Sequence, residues 1–402
     1  MSKNIYVTGP INAVRLEGNI FGIKKQIYIF MDWHTNHEAQ TSCTQKDSMT
    51  IKDYMVKEAK KLSQNSKLDI ILEADDKKPH KSEDLHIVQT QKFFKAQVDK
   101  NKFLQKQKLS LNPTMSPTTS SDVPINVRLH YIDIERYIEQ EKLKNIKELY
   151  EAHATLSVLD YLTSDNVDMY MTKYTQLENT LMGTYNMIFN PNIITTSLIK
   201  DDFHKKINRS INKITSNYNH SEIRHKMDPL FDDYARLHNI CITTIHRSVN
   251  LLKKAKTVIL ERNKNLKLIN FEGYKFHNYY DTTEFKDFIS ELYGKLKILD
   301  NLTRILYGKI IEIFILRRLL DKDYITTCAF YTGIRHSMTY IYFMIKYFDF
   351  KITHVCHSRE QNLERLNSII IAAKQGEDIE ELFYPPVVIQ CIDLGGFPKG
   401  FQ

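Results

Sequence analysis

Glycine and proline are scarce in this 402-residue chain, at 12 and 10 residues. Few turn-formers beside abundant Lys, Ile, Leu and Asn point to a helix-rich protein. The five cysteines (Cys43, Cys241, Cys328, Cys356 and Cys391) are odd in number and show no CxxC spacing. That pattern argues against a disulfide framework or a cysteine-rich zinc site, and a reducing compartment fits it better. The N-terminus leads into no apolar h-region, so a secretory signal is not expected. The most apolar later run, Ile310 to Leu316, ends on Arg317 and Arg318. It falls short of the roughly 20 apolar residues that span a bilayer, which excludes membrane insertion there. There is no repeat with a period of about 20–50 residues, so a solenoid is not expected either.

At 42% apolar and 26% charged residues the chain has an ordinary soluble composition. Its length allows one large domain or two modest ones. The net charge of +8 is mild when spread over 402 residues and serves solubility as readily as nucleic-acid affinity.

The pattern predicts an α/β protein with a mainly parallel sheet, flanking helices and a long helical insertion. Residues 26–31 read as a buried strand, 50–63 as an amphipathic helix and 68–72 as the next strand, a β-α-β unit with a parallel pair. Residues 125–134 form a third strand. From Glu135 to about Leu320 the pattern is almost wholly helical, with Pro191 and Pro229 as breaks. The sheet resumes at 324–331, followed by a helix over 336–347, a strand over 350–355, a helix over 358–374 and an extended segment over 386–394. Residues 1–134 and 321–402 therefore make the α/β core, and 135–320 the insertion, which offers a surface for a protein partner. Phe397 and Phe401 in the turn-rich tail either dock that tail or reach a partner.

Two apolar runs end on histidine-bearing turns: Phe30-Met31-Asp32-Trp33-His34 with His37 beyond it, and Phe330-Tyr331-Thr332-Gly333-Ile334-Arg335-His336. A third, Ile70-Ile71-Leu72, ends on Glu73. Loops at the carboxyl ends of parallel strands gather on one edge, so these residues are candidates for one pocket. Imidazoles and carboxylates together suit a divalent metal or acid/base chemistry. Free N–H groups at a helix start after Gly333 suit an anion. Arg128 and His130 share a face of the third strand, and Asp133 with Arg136 forms either an orienting pair or an exposed salt bridge. His354 and His357 flank Cys356, for which no nucleophile's partner can be assigned. Each of these residues has a packing or surface role as its alternative.

These strand-end motifs resemble the series of the erythromycin-esterase, ChaN and TIKI superfamily. There one strand ends in a Gly-Glu-x-His-like turn, a second in glutamate and a late strand in a Gly-x-x-His turn. Met31 stands where the first glycine would be, and Asp32 where glutamate would be. The resemblance implies Asp32, His34, Glu73 and His336 as the site, with Arg128 or Arg136 stabilising negative charge. It implies a divalent metal such as Mn, Zn or Co, and hydrolysis of an ester or amide in a small-molecule or peptide substrate. The chain also resembles proteins of large DNA viruses that share the segment Arg128-Leu129-His130-Tyr131-Ile132-Asp133-Ile134-Glu135-Arg136. That resemblance implies host cytoplasm or virion as the location, and an inactive α/β scaffold or virion-associated protein as the alternative function. Nucleic-acid binding is third, because lysine-rich runs such as Gln91–Ala96 come with no recognised motif.

The Ser/Thr/Pro-rich stretch within a mobile loop over 75–124 cannot pack a core. Deleting residues 105–124 is expected to leave the denaturation midpoint unchanged, and strong hydrogen-exchange protection across that span would contradict this.

Overall fold

The computed structural model describes residues 4–33, 39–62, 66–72, 86–90, 92–96, 127–131, 144–155, 164–190, 211, 214–216, 218–266 and 283–401. The expected mobile stretch 105–124 lies outside these residues. The chain forms two compact units: Met1–Asp133 with Ile315–Gln402, and Ile134–Phe314.

Among its described residues the first unit has nine strands. They are β1 (Tyr6–Thr8), β2 (Asn12–Ile20), β3 (Ile23–Asp32), β4 (Met49–Thr50), β5 (Leu68–Leu72), β6 (Val127–Tyr131), β7 (Thr327–Gly333), β8 (Lys351–Val355) and β9 (Cys391–Asp393). Six form one sheet in the order β6-β5-β7-β3-β2-β8, and β4-β1-β9 form a smaller one. β6, β5, β7 and β3 are parallel, whereas β2 runs antiparallel to both β3 and β8. The expected direct pairing of residues 26–31 with 68–72 is corrected here, because β7 lies between β3 and β5 and pairs with both.

The antiparallel hairpin β2–β3 turns at Phe21 and Gly22, both with positive φ (50° and 83°). A two-residue turn of that hand matches the twist of the flanking strands. β2 also carries Gly18, where a Cβ would stand 2.5 Å from the Phe350 ring, so only glycine admits that ring against the strand.

One face of the large sheet presents Tyr28 and Phe30 of β3, Ile70 and Leu72 of β5, and Ala329 and Tyr331 of β7 to a shared core. Helix α1 (Ile51–Ala59) covers this face with Ile51, Tyr54 and Met55, and Thr50 caps it by accepting from the Asp53 N–H. The tail docks rather than projecting: Phe401 is 1% exposed, and its ring meets Tyr28 edge-on at 4.9 Å and Tyr54 at 6.0 Å. The Gly400 N–H seals it by donating to the buried Glu58 carboxylate at 2.6 Å. Burying a phenylalanine in such a place contributes about 1.5–3 kcal/mol.

In the second unit, α2 (Ser164–Phe189), α3 (Ser221–Lys226), α4 (Asp228–Leu266) and most of α5 (Thr283–Asp321) are helical, as are residues 144–155. Tyr170, Tyr174, Leu177 and Leu181 of α2 are fully buried at three- and four-residue spacing, and so are Leu230, Tyr234, Cys241 and Ile245 of α4 at spacings of four and seven. Contacts of Lys256 with Asp168, of His246 with Glu178 and of Phe231 with Phe189 show that α2 and α4 run antiparallel. The expected break at Pro229 is present: α3 ends at Lys226 and α4 begins at Asp228. Pro229 sits in the first turn of α4, where a missing N–H costs nothing.

Helix α6 (Ile334–Phe348) lies on the other face of the large sheet, where Tyr340 packs on Phe330 at 5.4 Å. Three charged side chains are also buried with partners, Lys25 and Asp69 away from the α1 core and Arg15 on the side of Tyr28, its register partner. Arg15 reaches the Tyr28 hydroxyl at 2.9 Å and the Thr353 hydroxyl at 2.7 Å. Lys25 donates to the carbonyls of Lys322 and Ile325, and burial brings its pKa down to about 8. Asp69, wholly inaccessible, accepts two bonds from the Arg128 guanidinium (2.8 and 2.5 Å) and faces His130 Nε2 at 2.5 Å. Arg128 also stacks over the Tyr324 ring at 4.6 Å and donates to its carbonyl.

Asp69→Ala is expected to cost about 3 kcal/mol, read from the urea midpoint, because it leaves a guanidinium and an imidazole without their shared acceptor. A loss below about 1 kcal/mol would show that β6 is held without this network.

Candidate functional site

Parallel pairing of β3 with β7 puts Asp32 opposite Gly333. β5 joins the other side of β7 with Leu72 opposite Tyr331, so all three strands end on one edge. Gly333 is also the N-cap of α6, which places Arg335 and His336 in the first turn beyond it. No side chain caps that turn; instead Ser337 donates to the Gly333 carbonyl at 3.0 Å.

Asp32 is 2% exposed, and its Oδ1 accepts the Tyr331 hydroxyl at 2.9 Å. Burial, reinforced by the Asp32 carboxylate, raises the Tyr331 pKa well above the ordinary tyrosine range, so the hydroxyl stays protonated and donates. Gly9 closes over the pair with φ +127°. A Cβ there would lie 3.0 Å from the Tyr331 hydroxyl and 3.0 Å from Ile51, so the approach requires glycine.

His336 is half-buried and its ring stacks on Tyr340 at 6.4 Å, while Arg335 beside it is exposed. Trp33, just past β3, meets Tyr384 edge-on at 5.4 Å. The Tyr384 pKa is raised by burial and by its bond to the Glu380 carboxylate, with Arg335 opposing. The edge thus carries a fixed carboxylate, an imidazole and two phenols, which is enough for proton transfer at an oxygen or nitrogen of a bound group.

Of the residues expected here, Asp32 and His336 come to the same strand-end edge. Arg128 does not. It pairs with Asp69, which is in register with Cys328, five residues and about 16 Å along β7 from Gly333. The bidentate bond to Asp69 accounts for it. His34, His37, Glu73, Asp133 and Arg136 lie outside the described residues. Among the described residues no three His, Cys, Asp or Glu side chains gather as a metal set. Tyr331 and Tyr384 escaped sequence reading. Tyr331 stood inside a run that reads as plain strand core, and only the register reveals that its hydroxyl meets Asp32.

A second correction concerns the cysteines: Cys43 and Cys391 form a disulfide, with Cα atoms 4.9 Å apart. Thr8 brings them together, since it pairs with Cys391 in the small sheet and its hydroxyl accepts the Cys43 N–H at 3.0 Å.

Comparison with known proteins places the chain among viral relatives. It matches the family of unknown function DUF5847 over residues 5–402 and belongs to that family. It is 29% identical to uncharacterized protein R706 of Acanthamoeba polyphaga mimivirus, covering 98% of this chain and 97% of that one. Uncharacterized proteins R161 and R160 of the same virus are 26% and 28% identical, each over 100% of this chain. The expected closeness to proteins of large DNA viruses therefore holds. No solved structure matches. No helix among the described residues is long and apolar enough to cross a membrane.

Tyr331→Phe is expected to lower stability by about 1–3 kcal/mol, because it withdraws a donor from a buried carboxylate. An unchanged urea midpoint would remove this bond from the account of the site.

Proposed function

We propose that the carboxyl edge of β5, β7 and β3 is a hydrolytic pocket for an ester or amide bond in a small-molecule or peptide substrate. The observation that carries this reading is the register Asp32–Gly333, which sets a buried carboxylate beside the helix start that bears His336. In this reading His336 transfers the proton to and from water or the leaving group. Asp32, steadied by Tyr331, supplies the fixed negative charge that favours the imidazolium. The strand-end pattern of the erythromycin-esterase, ChaN and TIKI superfamily supports the same assignment and adds His34 and Glu73. Arg136 is the remaining guanidinium for developing negative charge. Asp32 and His336 offer two metal donors, so a divalent ion (Mn, Zn or Co) at this edge requires His34 or Glu73 as a third.

A second reading has one observation in its favour: Asp32 is buried and engaged by a neutral hydroxyl, an arrangement that locks a strand end without any chemistry. In that reading the protein is an inactive α/β scaffold of host cytoplasm or virion. Its helical unit then serves a protein partner.

A panel of aryl esters and peptides, assayed with the full chain, separates the two. His336→Ala and Asp32→Asn are each expected to lower turnover at least ~100-fold with unchanged circular dichroism. Metal content lost in both His34→Ala and His336→Ala would assign the ion to this edge. Full activity in His336→Ala overturns the assignment, and an inert wild-type chain leaves the scaffold.

A further inference from the structure

A cleft of the first unit opens beside the small sheet. It has a volume of about 400 Å³ and is lined by both disulfide cysteines, Cys356, His357, Val387 and Ile389. We propose that Cys43–Cys391 is a reversible redox couple that exchanges, through this cleft, with a cysteine carried on a peptide.

Three observations support it. First, the two cysteines are held in place independently of the bond between them. The Thr41 N–H donates to Gln390 Oε1 at 3.1 Å, the Gln390 N–H to the Thr41 hydroxyl at 2.7 Å and the Cys43 N–H to Thr8 at 3.0 Å. Opening the disulfide therefore leaves the thiols facing each other, the condition for closing it again. Second, the cleft wall includes His357, whose Nε2 is buried and has no hydrogen-bond partner among the described residues, so a turn of the ring toward the cleft would give it one on a bound peptide. Third, the lip is aliphatic and open to solvent, with Val387 66% and Ile389 43% exposed. An extended peptide with aliphatic residues around its cysteine fits that lip, whereas a small polar thiol gains nothing from it.

The chemistry is thiol–disulfide exchange. The incoming thiolate attacks Cys43 Sγ, forming a mixed disulfide, and the S–S bond breaks with its electron pair leaving on Cys391. Cys43 is the point of attack because its neighbours Ser42 and Thr44 are exposed. Gln45 Oε1, 3.7 Å from Cys391 Sγ, accepts from the Cys391 thiol once the leaving thiolate has taken a proton from solvent. A second peptide thiol then attacks the peptide's own sulfur and releases Cys43 as thiolate, both protein sulfurs taking protons from solvent. Two thiols become one disulfide, and two electrons pass to the protein. Cys356 stays outside the exchange: burial raises its pKa, and its thiol donates to the Asp393 carbonyl at 3.3 Å.

The test uses the full chain and intact-mass analysis. Reduced Cys391→Ser is expected to form a stable adduct with the disulfide form of a Val-Cys-Ile peptide at least ten times faster than Cys43→Ser does. It should also react faster with that peptide than with glutathione disulfide, and Cys356→Ser should leave the wild-type exchange unchanged. Wild-type protein titrated in glutathione redox buffers should open and reclose its disulfide with unchanged circular dichroism. Reduction that occurs only with unfolding, or equal rates for the two single-cysteine variants, would overturn the proposal and leave a structural staple. Equal rates with peptide and glutathione would overturn the peptide assignment.

Discussion

The pairing of β7 with β3 and β5 is the constraint on which the first unit depends. β7 is separated from both by the whole helical region of the chain, yet it supplies the middle of the parallel sheet. Its seven residues are all buried, so both faces must be covered, by α1 and the docked tail on one side and by α6 on the other. Without β7 the strands β3 and β5 have no common neighbour, and the edge carrying Asp32 and His336 does not exist. Such non-local pairing is entropically expensive to close, and this sheet offsets that cost with nearly complete burial of its central strands.

Buried polar groups fix what apolar burial leaves free. Lys25, Arg15 and Asp69 each find partners on another strand or loop. A one-residue slip of β3 would turn Lys25 toward the opposite face and strand its charge. The same logic applies to Asp32, whose Oδ1 meets the Tyr331 hydroxyl of the neighbouring strand. Register and chemistry are thus coupled in this sheet: the bonds that align the strands also aim the side chains of the strand-end edge.

Membership of a family shared with mimivirus proteins, aligned over nearly the full chain, means that both units travel together in those relatives. A proposed site that draws on strands from both ends of the chain fits that inheritance, since neither end alone could make it.

Alternation, apolar runs and turn residues were enough to read β3, β5, β6, β7, β8, α1 and α6 from the chain, because each buries a continuous stripe whose period shows locally. The strand-end positions of Asp32 and His336 were legible for the same reason. β2 was not, since Arg15, Glu17 and Gly18 break its apolar pattern. They are tolerated only because Tyr28, Thr353 and Phe350 come from elsewhere to meet them. The position of β7 between β3 and β5, the role of Tyr331, the loss of Arg128 to Asp69 and the union of Cys43 with Cys391 likewise belong to the tertiary structure. Each is a contact between residues distant in sequence, and a sequence shows which groups seek a partner without showing which partner the fold brings.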